Sequence, residues 1–173
     1  AIGAATDCYQ PIEREWGITR AVLSVLQACG HPYTLVTKSA GVERDLDILA
    51  RSAAAQQTYV MVSLTTLESG LSRILEPRAA APHRRLRTVQ RLREAGVPVG
   101  VNVAPIIPFL NEPEIERLIE AAAQAGAQAI HYTIVRLPWE VLPLFQGWLA
   151  DHFPQRAERV MARIREMRGG RDY

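Results

Sequence analysis

The sequence predicts an α/β fold on a parallel sheet: a partial (βα) barrel of five βα units with one further helix at the C-terminal end. Three observations carry this reading. Short apolar runs alternate with longer helical patterns along all 173 residues. The runs are apolar at successive positions, as in strands covered on both faces. Polar residues gather at their C-terminal ends, where a barrel assembles its active face. Strict alternation implies right-handed crossovers between parallel strands. A doubly wound sheet would share the alternation, but no Gly-rich phosphate loop follows the first run. Five strands cannot close an eight-stranded barrel, so the barrel is open or incomplete.

In chain order, a strand is expected at 1–6. A helix follows at 15–29, where Ile18, Val22, Val25 and Leu26 recur at helical spacing and Gly30 supplies the stop. A strand at 33–37 leads to a helix at 42–55 carrying Leu46, Ile48 and Leu49. The third strand, 59–64, precedes an arginine-rich helix at 83–95 with Leu86, Val89 and Leu92 as its stripe. The fourth, 99–103, precedes a helix at 111–125, with Asn111 as N-cap and Pro113 in the first turn. The fifth, 129–135, is followed by helices at 139–152 and 154–167, divided at Phe153-Pro154. Trp139, Phe145, Trp148 and Phe153 are expected in the core or at a domain contact. The chain starts on what reads as the tail of a buried strand and stops just after a helix. One truncated domain, 1–173, is therefore expected.

Composition narrows the function classes. The chain is 48% hydrophobic and 22% charged, with a net charge of +2, too small to argue for nucleic acid by itself. No apolar run approaches the ~20 residues of a membrane span, and no signal peptide is legible, so a cytoplasmic protein with no membrane partner is expected. Cys8 and Cys29 make neither a disulfide framework nor a metal site. His31, His83, His131 and His152 are scattered over different elements, so no metal ligands are assigned.

Lys38 is the only lysine beside nineteen arginines, and it ends a strand. A compact, rotatable point charge there fits a carboxylate or phosphate anchor, a Schiff-base amine, or a plain surface lysine. The loop from Asp7 to Glu13 crowds polar groups behind the first strand, or is simply a turn. Ser63 and Thr65 could bond a ribose or carboxylate, or cap the next turn. Gly100 inside a strand marks close approach of a ligand or of neighbouring packing. The reactivity of Cys8 is open. The arginines at 84, 85, 87, 91 and 93, and those at 156, 159, 163, 165 and 168, read as solvated faces rather than phosphate contacts.

Taken together, Thr6-Asp7-x-Tyr9-Gln10-Pro11-x-Glu13, Thr19-Arg20, Thr37-Lys38 and Arg44-Asp45-x-Asp47 resemble the radical S-adenosylmethionine proteins of the spore photoproduct lyase type. So do Ser63-Leu64-Thr65-Thr66, Glu76-Pro77-Arg78, the run from Gly100 to Pro108, and Gly169-Gly170-Arg171-Asp172-Tyr173. The resemblance implies a (βα)6 partial barrel in which residues 1–6 form the second strand. It implies S-adenosylmethionine and a 4Fe-4S cluster as cofactors of the full-length parent, with reductive cleavage to a 5′-deoxyadenosyl radical. The activity it implies is that of a lyase repairing a nucleic-acid lesion, with electrons from a reductant such as a flavodoxin or ferredoxin. By the same resemblance Thr6 and Asp7 lie at the methionine amino group, and Lys38 faces the methionine carboxylate. Ser63 lies near the ribose and carboxylate, and Asn102 and Ala104 line the adenine side. The family's CxxxCxxC is absent from this chain, so the cluster ligands are expected on a missing preceding unit, and this piece alone is expected to be inactive. The hydrogen-donor role of a cysteine in that type is not carried over to Cys8. Two other classes stand beside this one: an aldolase-type lyase using Lys38, and a non-catalytic nucleic-acid-binding module using the arginine helices.

Overall fold

The structure, a computed structural model, describes residues 1–171; Asp172 and Tyr173, which end the last of the motifs above, lie outside the described residues. Four strands form one sheet: β1 (Tyr33–Thr37), β2 (Thr58–Ser63), β3 (Val99–Ile106) and β4 (Ile130–Ile134). They pair in sequence order and all in parallel. The helices between them are α1 (Glu13–Trp16), α2 (Ile18–Ala28), α3 (Leu46–Ala54), α4 (Ser69–Leu75), α5 (Pro82–Glu94) and α6 (Ile115–Gln124), with α7 (Val141–His152) and α8 (Pro154–Met167) closing the chain. Short 3-10 turns at Ala40–Asp45 and Glu112–Glu114 lead into α3 and α6. This is the layout of a partial parallel βα barrel.

The period of two along each strand sorts its side chains. Leu35, Val60, Val62, Val99 and Val101 are buried on one face, against Ile48 and Leu49 of α3, Val89 and Leu92 of α5, and Leu118 and Ala122 of α6. Thr34, Val36, Tyr59, Met61 and Asn102 stand on the other face and keep access to solvent. The expectation of strands covered on both sides is therefore corrected: helices pack one face, and the opposite face stays open. A second apolar cluster joins Ile107, Leu110, Val135 and Leu137, beyond the strand ends, to Leu149 of α7 and Val160, Met161 and Ile164 of α8. Phe145, Trp148 and Phe153 pack against it, but Trp139 is 81% exposed and belongs to no core.

The expected first strand shrinks to one bridge. Ile2 N–H donates to the Thr34 carbonyl (2.8 Å) and Val36 N–H donates to the Ile2 carbonyl (2.9 Å), pairing Ile2 with Leu35. Gly3 then takes φ +79° and lies so close to β1 that a Cβ there would sit 2.1 Å from the Val36 carbonyl oxygen. A left-handed residue in van der Waals contact with its neighbour ends the pairing at once. Four strands, not five, make the sheet. The helix expected at 15–29 is likewise divided, because Gly17 at φ +60° separates α1 from α2. The periodicity gave no sign of α4.

Asn111 holds the N-cap position expected of it, before the 3-10 turn Glu112–Glu114, but its side chain caps no N–H of that turn. It is buried, its Oδ1 accepts from Ile107 N–H (2.6 Å), and its Nδ2 donates to the Thr65 (2.7 Å) and Pro105 (2.9 Å) carbonyls. One amide thus ties the loop after β2 to the loop after β3. Next to it, Glu114 accepts from the Thr66 hydroxyl (2.6 Å) and Leu67 N–H (2.9 Å), pinning the same loop from the other side. Asn111→Ala would leave three backbone groups unpaired, and we expect a loss of ~2–4 kcal/mol in urea denaturation. A loss below about 1 kcal/mol would show that water satisfies these groups and that the tie is dispensable.

Candidate functional site

Parallel strands end on one side, and there the structure has a cleft of about 400 Å³. All six residues singled out from the sequence line it: Thr6, Asp7, Lys38, Ser63, Asn102 and Ala104. Ser63 and Asn102 are register partners on neighbouring strands, and Lys38 follows the last residue of β1. Ala104 lies in a bulge, where the β3–β4 register shifts between Val103 and Ile106. Thr133 and Arg136 add the far wall. The side chains of Ser63, Asn102, Thr133 and Arg136 make no hydrogen bond among the described residues, so their polar groups are free for a ligand.

Asp7 is differently employed. Its carboxylate accepts from the Thr37 hydroxyl (2.8 Å), Lys38 N–H (2.7 Å) and Tyr9 N–H (2.9 Å). It fastens the loop after Ile2 to the end of β1 and so fixes the backbone from which Lys38 projects. Behind it, several residues from separate motifs form one brace. The Tyr9 hydroxyl donates to Asp45 (2.8 Å), Arg20 bonds Asp45 (2.8 Å) and, two-pronged, Asp47 (2.9 Å each), and Glu13 accepts from Thr19 N–H (2.7 Å). Burial, with the Asp45 charge beside it, pushes the Tyr9 phenol far above its usual range, so it serves as a donor only. The loop is a scaffold whose inner edge lines the cleft.

The main electrostatic feature was not assigned from sequence. Lys38 Nζ lies 2.6 Å from Glu76 Oε1, and Glu76 Oε2 accepts from Arg85 Nη2 at 2.7 Å. Burial opposes ionisation of Glu76, but the Arg85 and Lys38 charges and hydrogen bonds outweigh it and hold the carboxyl below its ordinary pKa. The Thr65 hydroxyl lies 3.0 Å from Glu76 Oε1. Arg85 is 2% exposed, which corrects its reading as part of a solvated face. A signal existed: Arg85 stands four and seven residues before Val89 and Leu92, on the apolar stripe of α5. Arg84 and Arg91 both bind Glu43, the latter at 2.8 Å. Three of the five arginines of this helix therefore make contacts within the fold. Gly100 resolves to packing, since a Cβ there would meet Tyr59 Oη at 2.5 Å and the Ala129 carbonyl at 2.9 Å. Lys38 is held in an ion pair with Glu76 at the cleft.

No group of three metal-ligating side chains occurs among the described residues. Burial, followed by the Asp7 charge, pushes the Cys8 thiol up to about 12, so it remains a thiol at neutral pH and is a poor ligand and nucleophile. Cys29 is exposed, beyond the far end of α2. The residues present therefore do not fit an iron–sulfur cluster. They do fit an amino-acid nucleoside: Lys38 offers a cation to a carboxylate, and Ser63 and Asn102 offer unpaired polar groups.

Residues 3–122 match the Radical SAM superfamily, and the chain belongs to that superfamily. It is 30% identical to the uncharacterized protein Rv2578c of Mycobacterium tuberculosis over 169 residues, which is 96% of this chain and 48% of that protein. It is 39% identical over 90 residues to the uncharacterized protein ORF301 of Acidianus two-tailed virus, covering 52% of this chain and 29% of the viral protein. With the uncharacterized protein MJ0683 of Methanocaldococcus jannaschii it shares 26% identity over 113 residues, 65% of this chain and 42% of the archaeal one. The chain thus spans about half the length, or less, of the curated relatives it matches. No solved structure gives a significant match. No helix among the described residues is long and apolar enough to cross a membrane.

Alkylation checks the cysteine assignment. Iodoacetamide at pH 7–8 should modify Cys29 readily and Cys8 slowly, until the protein is unfolded. Equal rates in the native protein would show that the Cys8 thiol is neither sheltered nor raised.

Proposed function

We propose that this chain provides the S-adenosylmethionine-binding half of a radical enzyme, with Lys38 receiving the methionine carboxylate. The observation that carries this is the position of Lys38, a cation at the mouth of the strand-end cleft in a chain matching the Radical SAM superfamily. When bound and reduced beside a 4Fe-4S cluster, S-adenosylmethionine supplies hydrogen-atom abstraction from a substrate carbon. This chain's own residues bind and orient it. Lys38 anchors the carboxylate, Ser63 bonds on the ribose and carboxylate side, Asn102 and Ala104 line the adenine side, and Thr6 lies at the amino group. Asp7 acts on the β1 end rather than on the ligand, because its oxygens already serve three donors. The cluster is held by cysteines outside this chain, since neither Cys8 nor Cys29 is suited to it.

The finer assignment, to the lyases of the spore photoproduct type that repair a DNA lesion, rests on the ordered motifs from Thr6 to Tyr173. The brace formed by Tyr9, Glu13, Thr19, Arg20, Asp45 and Asp47 supports that assignment: six residues of three separate motifs meet in one network. On this reading the electron donor is a small reductant such as a flavodoxin or ferredoxin, and the substrate is a nucleic acid.

The test uses the full-length protein, reconstituted anaerobically. Lys38→Ala should weaken S-adenosylmethionine binding about tenfold or more, corresponding to ~1.4 kcal/mol per decade, with the melting temperature nearly unchanged. Unchanged affinity would refute the anchor. Failure of the wild-type protein to form 5′-deoxyadenosine on reduction would refute the radical activity itself.

A further inference from the structure

We propose that Arg85 is a positioning residue that sets the charge of the cleft: by neutralising Glu76 from behind, it leaves Lys38 available to an anion. The inference deepens the reading of Lys38 as a carboxylate anchor and rests on it.

Glu76 lies between two cations, Lys38 Nζ at 2.6 Å and Arg85 Nη2 at 2.7 Å. The two cations do not have the same freedom. The Lys38 side chain is 39% exposed at the cleft, whereas Arg85 is 2% exposed and bound on every side. Arg85 Nε donates to the Ala80 carbonyl (2.6 Å) and Nη1 to the Ser63 carbonyl (3.0 Å), in addition to the Glu76 contact. A guanidinium does not deprotonate in a protein, and its rigid fork holds three acceptors at once. Arg85 is therefore fixed in place and in charge, while Lys38 can turn on its stem.

Consider the pair without Arg85. Lys38 and Glu76 would sum to zero, and a ligand carboxylate could take Lys38 only by stranding a buried glutamate, which is strongly unfavourable. With Arg85 the group of three carries one net positive charge. When Lys38 turns to a ligand, Glu76 keeps a buried partner. Arg85 also grips the backbone of Ser63, so the same guanidinium fixes the strand end that carries the second polar group of the cleft. No other charged side chain among the described residues contacts Glu76.

The charge account makes a prediction that a simple structural role does not. Arg85→Met should weaken S-adenosylmethionine binding to the full-length protein by about tenfold or more, although Lys38 is intact. Adding Glu76→Gln to that variant removes the competing carboxylate and should restore affinity to within about threefold of wild type. Lys38→Ala in the same series separates the two layers of argument. If it leaves binding unchanged, the anchor reading fails; if it weakens binding while Arg85→Met does not, only the role of Arg85 fails. A double variant as weak as Arg85→Met alone would also overturn the proposal. Should Arg85→Met fail to fold, the double variant decides, because exchanging a buried ion pair for neutral side chains is commonly tolerated. Tight binding by it supports the charge account, and a tenfold loss contradicts it.

Discussion

A parallel sheet has no hairpins, so each strand must be reached by a crossover and all strands run the same way. In this chain that constraint brings the ends of β1 and β2 and the middle of β3 to a common rim, where Lys38, Ser63, Asn102 and Ala104 line one cleft. The helices required by the crossovers cover only one face of the sheet. Those of α3, α5 and α6 bury a valine- and leucine-rich layer, and the opposite face stays open under the cleft. Everything proposed about the site follows from this geometry: a rigid floor of paired backbone, with short polar side chains at its rim.

The rim is then stiffened by carboxylates that serve the protein rather than a ligand. Asp7 binds the end of β1, Glu114 pins the loop after β2, and Glu43 gathers Arg84 and Arg91. Glu76 is the exception in position, because it alone of these carboxylates pairs with the side-chain ammonium of Lys38. Placing a buried acid between a fixed arginine and a mobile lysine gives the site a positive charge without leaving either member of the buried pair alone. Positioning of this kind is what a protein contributes when a cofactor supplies the difficult chemistry.

Much of this was legible in the sequence, for a physical reason. Lys38 and Ser63 stand out because an apolar run stops there, whereas Asn102 lies inside Val99–Ile106 and is singled out through the family resemblance. The strand at 1–6 was over-read, since apolar composition says nothing of Gly3 turning the backbone away from β1 after one pair. Asn111 has the signature of a helix cap, yet its amide is taken up by a carbonyl of the loop after β2 and one at the end of β3, a tertiary competition no local pattern contains. Arg85 was concealed by its neighbours: in a run of arginines, only its phase with Val89 and Leu92 separates the buried one from the exposed. The role of Asp7 is hidden by distance, because two of its partners, Thr37 and Lys38, lie 30 and 31 positions further along the chain.

The most direct measurement is a crystal structure of the full-length protein with S-adenosylmethionine bound. The account predicts the ligand in the strand-end cleft, its carboxylate on Lys38 Nζ, its ribose beside Ser63, its adenine beside Asn102 and Ala104, and Arg85 still paired with Glu76. A ligand bound elsewhere, or one in the cleft whose carboxylate contacts Arg136 while Lys38 remains on Glu76, would contradict it.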